Sequence, residues 1–197
     1  MMMVSCGKSE KENSTAESGA KRISHSRPIS GKRKREVTAP VKRVKRFLTI
    51  RDIDGRRTEI SIARKGAVFK KITQPIVVLS IMASWCPPCR AMLPYMSELQ
   101  KSYAKSVFFI GILANDRIDD EELRELMVKY DTTFFISNSE DNDEIAVRAA
   151  RIAGRERNFP MPLTLIFARG TMKYQISGAI PYEMLENIIN QLQREVR

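Results

Sequence analysis

The stretch from Pro75 to Pro94, PIVVLSIMASWCPPCRAMLP, constrains this chain more than any other. Seven apolar or small residues from Ile76 to Met82, rich in β-branched side chains, predict a strand buried on both faces. That strand runs straight into Trp85-Cys86-Pro87-Pro88-Cys89. Beyond Cys89, the recurrence of Met92, Leu93, Met96, Leu99 and Tyr103 has helical spacing. Two cysteines at Cys-x-x-Cys spacing between a buried strand and a helix predict a redox site.

The chemistry follows from the position. A cysteine at a helix N-terminus faces unpaired backbone N–H groups and the positive end of the helix dipole, which favour thiolate over thiol. In such settings cysteine pKa values fall from about 8.5 to roughly 3.5–7.5. Cys86 is therefore the expected nucleophile. Cys89, one turn further in, is expected to attack a mixed disulfide at Cys86 and release the partner. Pro87 and Pro88 fit a first helical turn, where a missing N–H costs little, and stiffen the loop. A structural zinc site needs about four ligands, and only Cys6 and the single histidine, His25, remain, so no metal is expected. A two-residue loop constrains the unfolded chain too little for a purely structural disulfide to be the expectation.

The net charge of +11 is distributed unevenly. Residues 1–46 carry thirteen Lys and Arg against four Asp and Glu, so +9 belongs to this segment and +2 to the remainder. The segment is poor in large apolar residues, which predicts a flexible linker, and 47–197 reads as one domain. Lys32-Arg33-Lys34-Arg35 and the basic run 42–46 are read as lying against anionic lipid headgroups rather than nucleic acid. No run of about 18 apolar residues is present. The opening, Met1 to Ser9, resembles the end of a bacterial lipoprotein signal, with Cys6 as the expected lipidation site, although the apolar h-region of a signal peptide is missing.

The rest of the domain alternates strands and helices. Segments 47–50 and 58–62 around Asp54-Gly55 read as a hairpin. A strand at 107–113, an acidic-capped helix from Asp119 with Leu123, Leu126, Met127 and Tyr130 on one face, a strand at 132–137 and a helix at 141–153 follow. Strands 163–168 and 172–177 around Arg169-Gly170 form a second hairpin, and a last helix from Tyr182 to about Arg194 buries Leu185, Ile188, Ile189 and Leu192. Pro94 predicts a kink in the helix after the cysteines. The fold class is α/β, a mixed sheet with helices on both faces.

From Phe47 onward the chain resembles the thioredoxin-like fold, a three-layer sandwich, here with an extra N-terminal β-hairpin. Within that fold it resembles the TlpA/ResA-like membrane-tethered thiol:disulfide reductases, which include cytochrome c maturation factors. The resemblance rests on Asp52-x-Asp54-Gly55, on Ala83 through Arg90, and on Pro94, Met161-Pro162-Leu163-Thr164 and Gly178. It implies that Pro162 is cis and lies beside Cys86, with Met161 and Trp85, Pro87 and Pro88 bordering the substrate. It implies reduction of protein disulfides by a monomer in the periplasmic side of the cell envelope, fed by a membrane reductant donor. No cofactor beyond the Cys86–Cys89 pair is expected. The sequence departs from the family at two places. Ser80 stands where thioredoxins carry a buried acid, and Met92 where many of these reductases carry a glutamate, so neither proton-shuttling carboxylate is present. Those departures keep open the opposite electron flow, as in an oxidase or isomerase. A binding module without redox turnover is the third reading.

Overall fold

The computed structural model describes residues 45–64, 66–156 and 159–197. Cys6, His25 and the basic run 32–35 lie outside the described residues. Eight strands form one sheet in the order β1-β2-β3-β8-β7-β4-β5-β6, with β1 Leu48–Arg51, β2 Arg57–Ala63, β3 Gly66–Phe69, β4 Ile76–Met82, β5 Val107–Leu113, β6 Phe135–Ser137, β7 Leu163–Ala168 and β8 Thr171–Ser177. The helices are α1 Pro87–Ser102, α2 Asp120–Lys129, α3 Asn142–Ile152 and α4 Tyr182–Val196. β4 runs parallel to β5 and antiparallel to β7, so the sheet is mixed, as expected.

β4 is buried at all seven positions because both of its faces are covered. Ile76, Val78 and Met82 point into a core shared with α1, α2 and α4, while Val77, Leu79 and Ile81 point into a second core with β1, β2 and α3. Each such side chain contributes about 1.5–3 kcal/mol by leaving water. Of the last helix's four expected core residues, Leu185 and Ile189 and Leu192 are buried and Ile188 is half-buried.

The expected first hairpin is one strand larger. β3 pairs with β2 along its length and meets β8 only at Gly66 and Thr171. A Cβ on Gly66 would lie 2.1 Å from the Gly170 carbonyl oxygen, so glycine is required for this approach. Arg169 and Gly170 both have positive φ, 47° and 78°, the pattern of a two-residue hairpin turn matched to strand twist.

The strand expected at 132–137 is confined to Phe135–Ser137. The Thr132 N–H bonds the Met127 carbonyl at 2.8 Å, finishing α2, and the Thr133 N–H bonds Ser97 Oγ at 3.0 Å, so neither is free to join a ladder. Pro94 sits inside α1, which continues unbroken to Ser102. Lys45, inside the expected linker, already touches the domain: its ammonium pairs with Asp141 at 3.0 Å and its carbonyl accepts from Arg148 at 2.7 Å.

Candidate active site

Strand β4 ends at Met82, and the chain turns over Ala83, Ser84 and Trp85 into α1. Cys86 is the N-cap of that helix, with extended backbone angles and Pro87 and Pro88 at the first two helical positions. The Cys89 N–H donates to Cys86 Sγ at 3.3 Å, and the two sulfurs form a disulfide. No acidic residue occupies the first turn of α1, so nothing there opposes the helix dipole's preference for negative charge on Cys86. Cys86 keeps 4% of its surface exposed and Cys89 only 1%. Pro87 and Pro88 are exposed, and Trp85 is 59% exposed beside them.

The other expected site residues stand just before β7, whose first residue, Leu163, pairs with Ile81 near the end of β4. The Met161–Pro162 bond is cis, Pro162 is buried, and its carbonyl accepts the Gly178 N–H at 2.8 Å. Met161 is half-buried and packs against the same apolar cluster that contains Cys86 and Cys89.

A second loop, absent from the sequence reading, holds the first in place. After β5, Asn115 adopts φ 51°, a conformation asparagine tolerates better than most residues. Its carbonyl accepts the Trp85 indole N–H at 3.3 Å, and its N–H is held by Asp143 at 2.8 Å. The neighbouring Asp116 carboxylate accepts both the Ser84 backbone N–H and the Ser84 hydroxyl, the latter at 3.0 Å. Trp85 and Asp116 share a groove of about 560 Å³ with Arg90, Arg117, Ile118 and Leu126. In sequence, Asn-Asp after a strand reads only as a turn, and nothing points from it to Ser84.

Ser80 lies on the β4 face that α1 covers. It is fully buried, and its hydroxyl lies 3.2 Å from that of Thr164 on β7, itself fully buried. Among the described residues the one buried carboxylate is Asp52, which is 1% exposed and held in the β1–β2 turn by Arg56 Nε at 2.5 Å.

A family model for thioredoxin matches residues 61–154, which span β3 to β6, both cysteines and all of α1, α2 and α3. The chain contains a thioredoxin-fold domain. Among curated relatives, the thiol-disulfide oxidoreductase ResA of Oceanobacillus iheyensis is 28% identical over 120 residues, covering 59% of this chain and 56% of that protein. An H-type thioredoxin of Fagopyrum esculentum is 34% identical over 55 residues, covering 28% of this chain and 41% of its own length. The chain thus spans about half the length of these relatives. Among solved structures, a thiol:disulfide interchange protein of the thioredoxin family from Chlorobium tepidum superposes with a TM-score of 0.58 at 19% identity, over 74% of this chain and 92% of that one. The thioredoxin-fold domain here differs from a bare mixed sheet of five strands by the β1–β3 meander added beyond β8.

Proposed function

We propose that this protein is a thiol:disulfide oxidoreductase that reduces disulfides in protein substrates with the Cys86–Cys89 dithiol. The observation that carries this reading is the placement of Cys86 at the N-cap of α1, outermost of the pair and receiving the Cys89 N–H. Similarity to ResA supports the same chemistry.

In the reduced form the Cys86 thiolate attacks one sulfur of the substrate disulfide, and the other substrate sulfur leaves as a thiolate that takes up a proton. Cys89 then loses its proton and attacks the Cys86 sulfur, which releases the second substrate thiol and leaves the Cys86–Cys89 disulfide. Two electrons pass to the substrate, and the two sulfurs carry them without a separate cofactor. A dithiol donor, in this reading at the membrane, resets the site. Trp85, Pro87 and Pro88 on one side and Met161 and Pro162 on the other border the substrate segment. Among the described residues no buried carboxylate lies on the α1 face, so water or a residue distant in sequence receives the Cys89 proton.

The finer placement is part of the same proposal. The domain acts as a monomer on the periplasmic side of a bacterial envelope, tethered through residues 1–46 with Cys6 lipidated, and cytochrome c apoprotein is the substrate to test first. Cells expressing a Cys89→Ser variant should accumulate mixed disulfides at Cys86. Capture of apocytochrome supports the maturation role, capture of a broad set of secreted proteins supports a general reductase, and no capture overturns the reading. A second reading, net oxidation of substrates, is favoured by the neutral Ser80–Thr164 pair in place of a proton-accepting acid. The reduction potential, set against the compartment's, separates the two.

A further inference from the structure

A groove of about 890 Å³ lies between β2 and α3, in the layer across the sheet from the disulfide. Lys45, Arg46, Arg64, Arg148 and Arg151 line it, against one carboxylate, Glu144. Arg148 is 8% exposed and anchored: its Nε donates to Glu144 at 2.9 Å and a terminal nitrogen to the Lys45 carbonyl at 2.7 Å. Lys45 is paired with Asp141. Arg46, Arg64 and Arg151 form no ion pair among the described residues. Residues 47–197 carry a net charge of only +2, so this concentration is local and invisible in the total.

We infer that this groove is a docking surface for an anionic lipid bilayer, with phosphate headgroups as the groups it takes. Guanidinium forks pair with phosphate oxygens through two parallel hydrogen bonds, and arginine sheds water more readily than lysine does. Among the described residues no aromatic ring lines the groove, so they offer no stacking platform of the kind that single-stranded nucleic acid requires. Ile62 and Ile152 give it an apolar floor instead. Lys45, the first described residue, lines the groove, and the sequence before it, with Lys32-Arg33-Lys34-Arg35 and Lys42-Arg43, is basic as well. A bilayer presents a plane of phosphates that suits both without a partner of defined shape. Docked in this way, the domain holds its α1 layer, with Cys86, on the side away from the headgroups.

The test uses the full chain and vesicles of phosphatidylcholine with and without phosphatidylglycerol. Arg64→Gln with Arg151→Gln should weaken binding to the anionic vesicles about 30-fold, since each basic residue near such a surface is worth about 1 kcal/mol. Lys105→Gln with Lys129→Gln removes the same charge from exposed positions on the α1 and α2 side and should weaken it only a few-fold. Equal losses in the two pairs would mean that net charge alone acts, and no loss in either would mean that the groove does not dock; both overturn the inference. Loss of binding to a DNA duplex with vesicle binding unchanged would overturn it in favour of nucleic acid. Unchanged melting shows that the variants fold, and insulin reduction should be equal in all of them, which separates this surface from the redox assignment.

Discussion

The hydroxyls of Ser80 and Thr164 face each other at 3.2 Å on adjacent strands, both fully buried on the sheet face that carries α1. Two neutral groups satisfy one another there. A hydrogen bond of this kind contributes about 1 kcal/mol net, but leaving one buried partner unpaired costs about 1–3 kcal/mol. Ser80→Ala should therefore destabilise the domain by about 1–3 kcal/mol, and adding Thr164→Val should recover most of that loss. Denaturant melts of the wild type, the single and the double variant measure it. A double variant less stable than the single would mean that Thr164 has another partner.

The cysteines should differ sharply in reactivity. In the reduced protein, iodoacetamide near neutral pH should label Cys86 ahead of Cys89, because Cys86 caps the helix and is the less buried of the two. Mass spectrometry of the digested protein reads the order. Cys86→Ser should abolish mixed-disulfide formation, whereas Cys89→Ser should accumulate it. Preferential labelling of Cys89 would exchange the two roles.

Asp116 should matter through Ser84. Removing its carboxylate strips the partner from the Ser84 N–H and hydroxyl, which loosens the turn that presents Trp85 and Cys86. Asp116→Ala should lower protein-disulfide reduction several-fold while leaving reduction of a small disulfide near the wild-type rate, and Asp116→Asn, which keeps one acceptor, should fall between. Parallel assays on insulin and on a small-molecule disulfide test this. Equal loss on both substrates would place the effect in the cysteines' own chemistry.

Acid stability should carry the mark of Asp120. Its carboxyl is held below the ordinary 3.8, first by the hydrogen bonds from Arg51 and then by Asn138. A carboxyl depressed on folding adds stability that is fully present above its unfolded pKa and is lost as pH falls through the folded one. The wild type should therefore lose this contribution below about pH 3.8. Arg51→Gln should show a shallower loss over that window. Both side chains are partly solvent-exposed, so the difference is small and is best read at low salt. Melting curves from pH 6 down to 2 in the two proteins measure it; superimposable profiles would show that the pair contributes nothing.

The readable parts of this chain are those whose cause is local. β4 was legible because an unbroken apolar run admits few alternatives, and α1 because its apolar spacing follows a pair of prolines. β3 was not, because four residues opening with glycine carry no period, and the reason for that glycine, the Gly170 carbonyl pressed against it, lies about a hundred residues away. Residues 132–134 look like strand by composition, yet the Thr132 and Thr133 amides are taken by Met127 and Ser97, which no sequence pattern announces. The same holds at the site. Cys86 and Cys89 declare themselves by spacing, while Asp116 reaches Ser84 only once β4 and β5 are laid side by side, and the end of the basic run 42–46 meets Arg64, Arg148 and Arg151 only once β2 and α3 are packed together.

The order of strands also decides how a pull would travel. Tension on the N-terminal side of Lys45 enters through β1, at one margin of the sheet, and along the hydrogen-bond ladder β2, β3, β8 and β7 stand between that margin and β4. Between β3 and β8 that ladder narrows to one register pair, Gly66 with Thr171, and the neighbouring bond from the Ala67 N–H to the Gly170 carbonyl. The meander is also held from the side, because the Thr49 and Arg51 N–H groups are anchored on Asp141 and Ser139, and Leu48, Ile50 and Ile60 pack with α3. A pull on the leading end is therefore shared between this narrow link and α3 before it reaches the strand that carries the two sulfurs.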